Sequence, residues 1–258
     1  KQKDKGYLET AKASAMKSVK THRPMLAHVY EKYAEKVQFP CWIQPKLDGM
    51  RCIAVRTGDK IELRSRGNKV ITTMPHIERE LLDFMQDGEA WDGELYATGV
   101  PFQTAMSWIK RLQPESESIE YHVYDMISQE AFEKRFDRVR VQITQNPEGG
   151  PVSTYRTHDK FLVKLVPTIS VGSADEVGQY YSTFTEQGFE GAMIRHSACP
   201  YREGHRSDQL LKVKKFLEED FKIVDVKSGR GKFENQAIFR LVTEEGHEFE
   251  SVAIGTEQ

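Results

Sequence analysis

The stretch from Cys41 to Arg56, CWIQPKLDGMRCIAVR, constrains the fold of this chain more than any other. The residues before Pro45 are typical of a strand, and Pro45 marks its end because proline cannot donate a ladder hydrogen bond. Asp48-Gly49 then supplies the residues of a tight turn, and Met50 to Val55 resumes a strand-forming run. The stretch therefore predicts two strands joined by a short turn, with Lys46 at the turn, and a third strand over Lys60–Arg66 should extend them into an antiparallel meander.

Lys46, Asp48 and Arg51 should lie close together at this turn. A lysine that is partly desolvated and beside another cation loses its proton more easily and becomes an amine nucleophile. The nearby carboxylate could hold a divalent metal ion. The same three residue types are also common at a solvated hairpin end, so covalent catalysis is indicated only if the rest of the chain supplies a matching site.

The charge of the chain is balanced overall but uneven along its length. The 258 residues include 37 basic and 39 acidic ones, with a net charge of −2. Residues 1–23 carry seven Lys or Arg, and residues 195–216 carry six. We therefore expect local basic faces that could meet phosphates on a chain that is acidic elsewhere.

The cysteines and the apolar runs bound the setting of the protein. Cys41, Cys52 and Cys199 lack metal-ligand spacing, which favours a reducing, cytoplasmic environment. No apolar run approaches the ~20 residues needed to cross a bilayer, so we expect no membrane partner. Because the chain does not begin with Met, we interpret it as part of a longer protein.

The order of strand-like and helix-like segments predicts an α+β fold with antiparallel sheets and flanking helices. A helix is predicted over His28 to Lys36, a strand over Phe161 to Val171, and a further helix after the capping box that begins at Ser173. After residue 220 only short strands are predicted, as in the first strands of a small β-barrel.

This pattern predicts three parts and one hinge. The parts are a basic N-terminal arm or short helix over residues 1–22, a large domain over residues 23–216 and a partial barrel over residues 217–258. The hinge is predicted at Leu217–Asp220.

Later elements carry residues that would complete a site around Lys46. These residues are Glu94, Tyr124, Glu190, Lys212 and Lys214. Period-two alternation puts the two lysines on one face of their strand. The set offers metal-binding carboxylates, an aromatic platform for a base and a phosphate clamp. Taken singly, such residues are more often exposed acids, core aromatics or solvated strand faces.

In this order, the motifs resemble those of the covalent nucleotidyltransferase superfamily, and within it the small viral and phage ATP-dependent DNA ligases of the chlorella-virus type. Lys46-Leu47-Asp48-Gly49-Met50-Arg51 matches the signature K-x-D-G-x-R, and Ser65-Arg66 matches the next short motif. Matches continue in order through Phe216, so coincidence is a poor explanation. The resemblance implies an adenylation domain followed by an OB-fold domain.

The resemblance also implies a reaction. Lys46 would attack the α-phosphate of ATP to form lysyl-AMP, the AMP would pass to the 5′-phosphate at a nick, and the 3′-hydroxyl would then displace it. Mg²⁺ or Mn²⁺ would assist, and a monomer would hold nicked duplex DNA mainly through its phosphates. A viral or phage protein of this kind would act in the host cytoplasm.

Each matched position has an implied role. Catalysis is assigned to Lys46, Asp48, Arg51, Lys212 and Lys214. Nucleotide binding is assigned to Gln44, Pro45, Lys46, Arg51, Glu94, Tyr124, Met193, Lys212 and Lys214. Contact with the nick phosphate is assigned to Ser65, Arg66 and Arg206, and metal binding to Asp48, Glu94 and Glu190.

Some features depart from the family pattern. Gln44 stands where many such ligases have an acidic residue, so the way the adenine amino group is read stays open. The last basic motif of the family is absent from these residues, and self-adenylation would be impaired if they were the whole polypeptide. The loop Ser228 to Asn235 is short for a segment that encircles DNA.

Three other functions remain possible on the sequence. An mRNA-capping guanylyltransferase shares the Lys-x-Asp-Gly core, and an RNA ligase is a weaker alternative. A module that binds nicks without turnover would keep the basic faces alone. The NAD-dependent ligases are disfavoured because they are longer and carry zinc-binding cysteines.

Overall fold

The computed structural model describes residues 21–144, 161–214, 220–234 and 236–252. It divides the chain into two compact units, the first ending at Lys214 and the second beginning at Lys215. The predicted arm before residue 21, the loop at residues 146–151 and most of the predicted hinge lie outside the described residues.

The first unit contains a six-stranded sheet with the strand order β5-β4-β3-β6-β7-β8. All of its neighbouring strands are antiparallel except β7 and β8. The strands are β3 (Met50–Thr57), β4 (Lys60–Ser65), β5 (Val70–Ile71), β6 (Ala90–Tyr96), β7 (Glu120–Met126) and β8 (Val163–Leu165).

The same unit contains a five-stranded sheet with the order β1-β11-β10-β2-β9. The edge strand β1 pairs with β11 in parallel, and the other neighbours are antiparallel. The strands are β1 (Leu26–Val29), β2 (Cys41–Lys46), β9 (Ile169–Val171), β10 (Gly191–His196) and β11 (Arg206–Val213).

Four α-helices flank these sheets in the described residues: α1 (Pro75–Phe84), α2 (Phe102–Lys110), α3 (Phe132–Thr144) and α4 (Ala174–Glu186). Apolar residues of α1 and α2 pack on the six-stranded sheet, and those of α4 pack on the five-stranded sheet. Helix α4 begins where predicted, because the Ser173 hydroxyl accepts a hydrogen bond from the Glu176 amide at 3.2 Å. The α+β class predicted from the sequence is confirmed.

The turn after Lys46 differs from the sequence expectation of one continuous antiparallel meander. Strands β2 and β3 do not pair with each other, and they belong to different sheets. Residues 47–49 cross from one sheet to the other. A Cβ on Gly49 would lie 2.5 Å from the Leu95 carbonyl oxygen, so only glycine allows the chain to pass this close.

Two element predictions were wrong for identifiable reasons. Residues 26–29 form strand β1, followed by two short 3₁₀ turns over 30–32 and 34–36, where a helix was predicted over 28–36. Pairing with β11 outweighs the weak local helical pattern. The strand predicted over 161–171 is two strands, β8 and β9, interrupted at Pro167 and placed in different sheets.

The second unit is all-β in its described residues, apart from one 3₁₀ turn at Gly231–Phe233. Its strands β12 (Lys222–Ser228), β13 (Ala237–Val242) and β14 (Glu248–Val252) form a three-stranded antiparallel sheet. These described strands do not close a barrel. In the part of the chain that is described, no helix has the length and apolar character needed to span a membrane.

Candidate active site

A cavity of about 590 Å³ in the first unit is lined by residues of both sheets. The five-stranded sheet and the loops at its ends contribute Gln44, Pro45, Lys46, Glu190, Met193, Arg206, Lys212 and Lys214. The six-stranded sheet and its turn contribute Arg51, Ser65, Arg66, Glu94 and Tyr124. These are all of the sequence-predicted site residues except Asp48.

Strand register explains why residues distant in sequence meet in the five-stranded sheet. Gln44, Met193 and Lys212 are direct neighbours across β2, β10 and β11, so their side chains share one face. Lys46 is opposite Gly191 at the end of β2. A Cβ on Gly191 would lie 2.3 Å from the Val213 carbonyl oxygen, and its φ is +153°, so glycine is required where these strands meet.

Lys46 is held by an acidic neighbour. Its ammonium forms an ion pair with one carboxylate oxygen of Glu190, and the Lys214 ammonium binds the other oxygen. Burial alone would raise the pKa of Glu190, but hydrogen bonds from Lys214 and Lys46 outweigh it and lower that pKa. An ionised Glu190 therefore bridges the two lysines, and a nucleophilic amine at Lys46 requires this contact to be released.

Two residues that were not predicted from the sequence, Asp92 and Tyr201, hold the Arg51 side chain in place. Its guanidinium donates to both oxygens of the buried Asp92, at 3.0 and 2.6 Å. The Tyr201 hydroxyl donates to Asp92 at 2.6 Å and accepts from the Met25 amide at 3.0 Å. Asp92 and Tyr201 thus connect strand β6 of one sheet with the segment just before strand β1 of the other.

Tyr124 owes its position to a β-bulge. Asp92 pairs with Asp125 and Gly93 pairs with Val123, so Tyr124 is the extra residue on β7. Bulges re-aim side chains, and this one directs Tyr124 into the cavity. The guanidinium carbons of Arg51 and Arg195 lie 5.7 and 5.3 Å from the centre of its ring, within cation–π distance.

Gln44 lines the cavity, but its side chain is already engaged inside the protein. Its amide nitrogen donates to the Tyr124 carbonyl at 3.1 Å and to the Thr168 hydroxyl at 2.8 Å. Its amide oxygen accepts from Arg195 at 2.7 Å. Both N–H groups of the Gln44 side chain are therefore already used within the protein.

Arg195 in turn belongs to a buried network with Asp125 and Arg135. Arg195 donates to Asp125 at 2.7 Å, and Arg135 donates to the two oxygens of the same carboxylate at 2.8 and 3.0 Å. The sequence does contain a signal for this network. Asp125 and Arg195 are single charged residues inside apolar runs, Tyr-Asp-Met and Met-Ile-Arg, and a charge buried in such a run needs a partner.

Glu94 is a buried carboxyl close to two cations, Arg51 and Lys46. Burial raises the pKa of Glu94 to about 8, against the opposing effects of Arg51 and Lys46 and of a 3.4 Å hydrogen bond from the Tyr124 hydroxyl. At neutral pH this carboxyl is mostly protonated in the free protein. It can then donate as well as accept a hydrogen bond.

The raised pKa of Glu94 predicts a pH-dependent stability difference between the protein and its Glu94→Gln variant. The unfolded chain releases this proton near pH 4.5 and the folded chain only near pH 8, so unfolding releases a proton in between. The stability of the wild type should fall relative to the variant across that window, by at most about 1.4 kcal/mol per pH unit. Urea unfolding of both proteins from pH 5 to 9 measures it.

Glu190→Gln supplies the contrasting control. Because the pKa of Glu190 is lowered by Lys214 and Lys46, the stability it contributes is present above its unfolded pKa and is lost only as the pH falls below about 4.5. Its difference curve should be flat where that of Glu94→Gln changes. A flat curve for Glu94→Gln between pH 5 and 8 would contradict the assignment.

The three carboxylates assigned to metal binding, Asp48, Glu94 and Glu190, do not form one cluster in the described residues, and the assignment stays a prediction. Asp48 is exposed and lies outside the cavity lining, whereas Glu94 lines the cavity and Glu190 is engaged there by two lysines. Within the described residues, no group of three or more His, Cys, Asp or Glu side chains could hold a metal ion. The buried Leu47 and the exposed Asp48 both lie where the chain crosses between the sheets, after strand β2 has ended at Lys46.

Comparisons with known proteins give the family of the chain. The family model described as ATP dependent DNA ligase domain matches residues 24–214. A DNA ligase of African swine fever virus (isolate Warthog/Namibia/Wart80/1980) is 28% identical over 198 residues, which are 73% of this chain and 45% of that protein. A DNA ligase of Archaeoglobus fulgidus is 26% identical over 223 residues, which are 81% of this chain and 39% of that protein. The chain thus spans less than half the length of these curated relatives.

Solved structures show the same fold. A Lig E DNA ligase superposes with a TM-score of 0.72 at 21% identity, covering 91% of this chain and 85% of that one. The chlorella virus DNA ligase-adenylate superposes with a TM-score of 0.61 at 24% identity, covering 90% and 82% of the two chains.

Proposed function

The chain belongs to the ATP-dependent DNA ligase domain family, and from this premise we propose that it seals nicks in duplex DNA through an AMP carried on Lys46. ATP is the proposed nucleotide, and a 5′-phosphate next to a 3′-hydroxyl is the proposed substrate. The observation that carries the proposal is the meeting of Lys46 with Glu190 and Lys214 in a cavity of nucleotide size whose facing wall holds Arg51, Glu94 and Tyr124.

In the first step the Lys46 amine attacks the α-phosphorus of ATP. An N–P bond forms, the P–O bond to pyrophosphate breaks, and the amine loses its protons to solvent or to an acceptor at the site. Negative charge grows on the nonbridging oxygens, and the ammonium groups of Lys212 and Lys214, which line the same cavity, would stabilise it.

Glu190 holds Lys46 in an ion pair before the nucleotide binds. In the free protein its carboxylate is shared by Lys46 and Lys214. A bound polyphosphate offers Lys214 a competing anion, and movement of Lys214 towards it would weaken the hold on Lys46. Nucleotide binding and release of the nucleophile are then linked through one carboxylate.

The next two steps return Lys46 to its starting form. An oxygen of the DNA 5′-phosphate attacks the adenylate phosphorus, the N–P bond breaks, and the amine takes up a proton. The 3′-hydroxyl then attacks the activated 5′-phosphate and AMP departs. Arg66 at the mouth of the cavity has no carboxylate partner in the described residues, which suits it to a substrate phosphate.

A basic patch beside the cavity supports a nucleic-acid partner. Its exposed members are Arg23, Arg202, His205 and Arg206. The single acid among them, Glu203, is already engaged by His22 at 3.0 Å and by the Arg23 amide at 3.1 Å. A second hollow over this patch shares Arg206 with the main cavity, so cations continue from the reacting site across the surface. Such contacts read phosphates and not bases.

Labelling with α-³²P nucleotides tests the proposal. ATP label should appear on the protein, move to nicked duplex DNA when it is added, and be released as AMP as the strand is sealed. The transfer to DNA should weaken with added salt more than the labelling of the protein does, because only the DNA steps involve phosphate contacts along a polyanion. Label from GTP in place of ATP would indicate a guanylyltransferase, and binding of nicks without any label would indicate a non-catalytic module.

A further inference from the structure

The turn that carries Arg66 is built as a rigid unit. It joins β4 to β5, and it is closed by hydrogen bonds from the Ser65 amide to the Lys69 carbonyl at 2.9 Å and from the Asn68 amide to the Ser65 carbonyl at 2.8 Å. The Ser65 hydroxyl also accepts from the Lys69 amide at 3.1 Å. Ser65, Arg66 and Gly67 form part of the cavity wall, so the shape of this turn decides where the Arg66 side chain starts.

Arg64 braces the turn from the preceding strand. Its guanidinium donates to both the backbone carbonyl and the side-chain oxygen of Asn68, each at 3.1 Å, and it also contacts the Glu62 carboxylate. The Arg64 side chain is only 16% exposed, so these contacts are partly shielded from water. Asn68 has a φ of +62°, a left-handed conformation that Asn tolerates better than most residues.

We propose that Arg64 is a positioning residue that, with Asn68, presets the Ser65–Lys69 turn so that Arg66 meets the DNA phosphate without first having to be ordered. The inference deepens the proposed function and rests on it. Arg64 itself does not line the cavity, and apart from Glu62 on its own strand its partner is Asn68 in the turn, so it acts through the turn that carries Arg66. Preorganisation of this kind strengthens binding by removing the cost of ordering a loop.

The consequence is a separation between two steps. In Arg64→Met, labelling of the protein from ATP should stay within about twofold of wild type, because Lys46, Glu190 and the paired lysines lie on the other sheet. Sealing of a nicked duplex should fall by about 10- to 100-fold, the scale expected when a group that positions substrate is displaced by about an ångström. Arg64→Lys keeps the charge but has a single nitrogen where Arg64 uses Nη1 for Asn68 and Nε for Glu62, so it should restore activity only in part.

A matched control lies on the neighbouring strand. Arg56 on β3 also braces backbone, donating to the carbonyls of Leu82 at 2.7 Å and Gly58 at 3.0 Å, but it does not touch the Arg66 turn. Arg56→Met should lower the melting temperature at least as much as Arg64→Met while leaving the ratio of sealing to labelling unchanged. A second variant, Asn68→Gly, keeps the left-handed backbone accessible and removes only the side-chain acceptor, so it should shift the same ratio without unfolding the protein.

The deciding experiment is a double-mutant cycle between Arg64→Met and Arg66→Ala, with labelling and single-turnover sealing of pre-labelled protein measured for each. If Arg64 acts through Arg66, the two changes together should cost no more than Arg66→Ala alone. Additive losses, or an equal loss of labelling and sealing, would overturn the inference while leaving the proposed function standing. Normal sealing by Arg66→Ala would overturn both the phosphate assignment of Arg66 and the role of Arg64. A wild type that labels but never seals would reject the proposed function itself, and the inference with it.

Discussion

Lys46→Ala should lose the transfer of label from ATP to the protein, by about 10⁴-fold or more, because no other group can replace a covalent nucleophile. Lys46→Arg should be equally inactive, since a guanidinium stays protonated and cannot attack phosphorus. Both variants should stay folded, because Glu190 keeps its contact with Lys214. Phosphorimaging of the protein after incubation with α-³²P ATP measures the loss.

A nicked duplex that already carries AMP on its 5′-phosphate tests whether Lys46 is needed only to form and transfer the AMP. Lys46→Ala should still join that substrate at a measurable rate, since the lysine has only to carry AMP to the nick. Lys36→Ala is the matched control, because Lys36 is a 63% exposed lysine of the same unit with a surface partner in Asp208. Label that persists on Lys46→Ala would show that another residue is the nucleophile.

Asp125→Asn should cost the largest amount of folding stability. The Asp125 carboxylate is fully buried between the guanidiniums of Arg135 and Arg195, which are 1% and 4% exposed. Removing its charge leaves two buried cations without compensation, and breaking buried pairs of this kind costs about 3–5 kcal/mol. For a chain of this size the melting temperature should fall by about 10 °C. Differential scanning calorimetry measures the change.

Asp137→Asn is the control for this stability prediction. Asp137 also pairs with an arginine, Arg140, but its side chain is 60% exposed on the surface of α3. Solvent screens such a pair, so its loss should cost no more than about 0.5 kcal/mol. Similar losses for the two substitutions would mean that the buried network contributes little beyond an ordinary surface contact.

Asp125→Asn should also weaken nucleotide binding, because Arg195 orients Gln44 and lies against Tyr124.

Much of the cavity could be predicted because its residues stand in local patterns. Lys46, Glu94 and Glu190 lie in short motifs whose residue types fit one chemistry, and the alternation of Lys212 and Lys214 places them on one strand face. These inferences need only the geometry of a single strand or turn. The structure brings all five residues to one cavity, and their chemical roles stay predictions until they are measured.

The residues that support the cavity could not be predicted in the same way. The contacts of Asp92 with Tyr201 and of Asp125 with Arg195 join residues 109 and 70 positions apart in sequence. Such pairs depend on how the two sheets pack, which no periodicity encodes. The same cause applies to Asp48, which lies outside the cavity lining where the chain crosses between the two sheets.

The crossing at residues 47–49 also bears on how such a protein can diverge. Lys46 ends strand β2 of one sheet and Arg51 lies at the start of strand β3 of the other, so the width of the cavity depends on the apolar contacts where the sheets meet. Ile127 packs against both the cluster of Ile53 and Val55 and the cluster of Met25 and Leu210. Exchanging one aliphatic side chain for another where the two sheets meet would change the distance between Lys46 and Arg51 while every sequence motif stayed the same. Related proteins could thereby come to differ in reaction rate or in the substrates they accept while their sequence motifs remained identical.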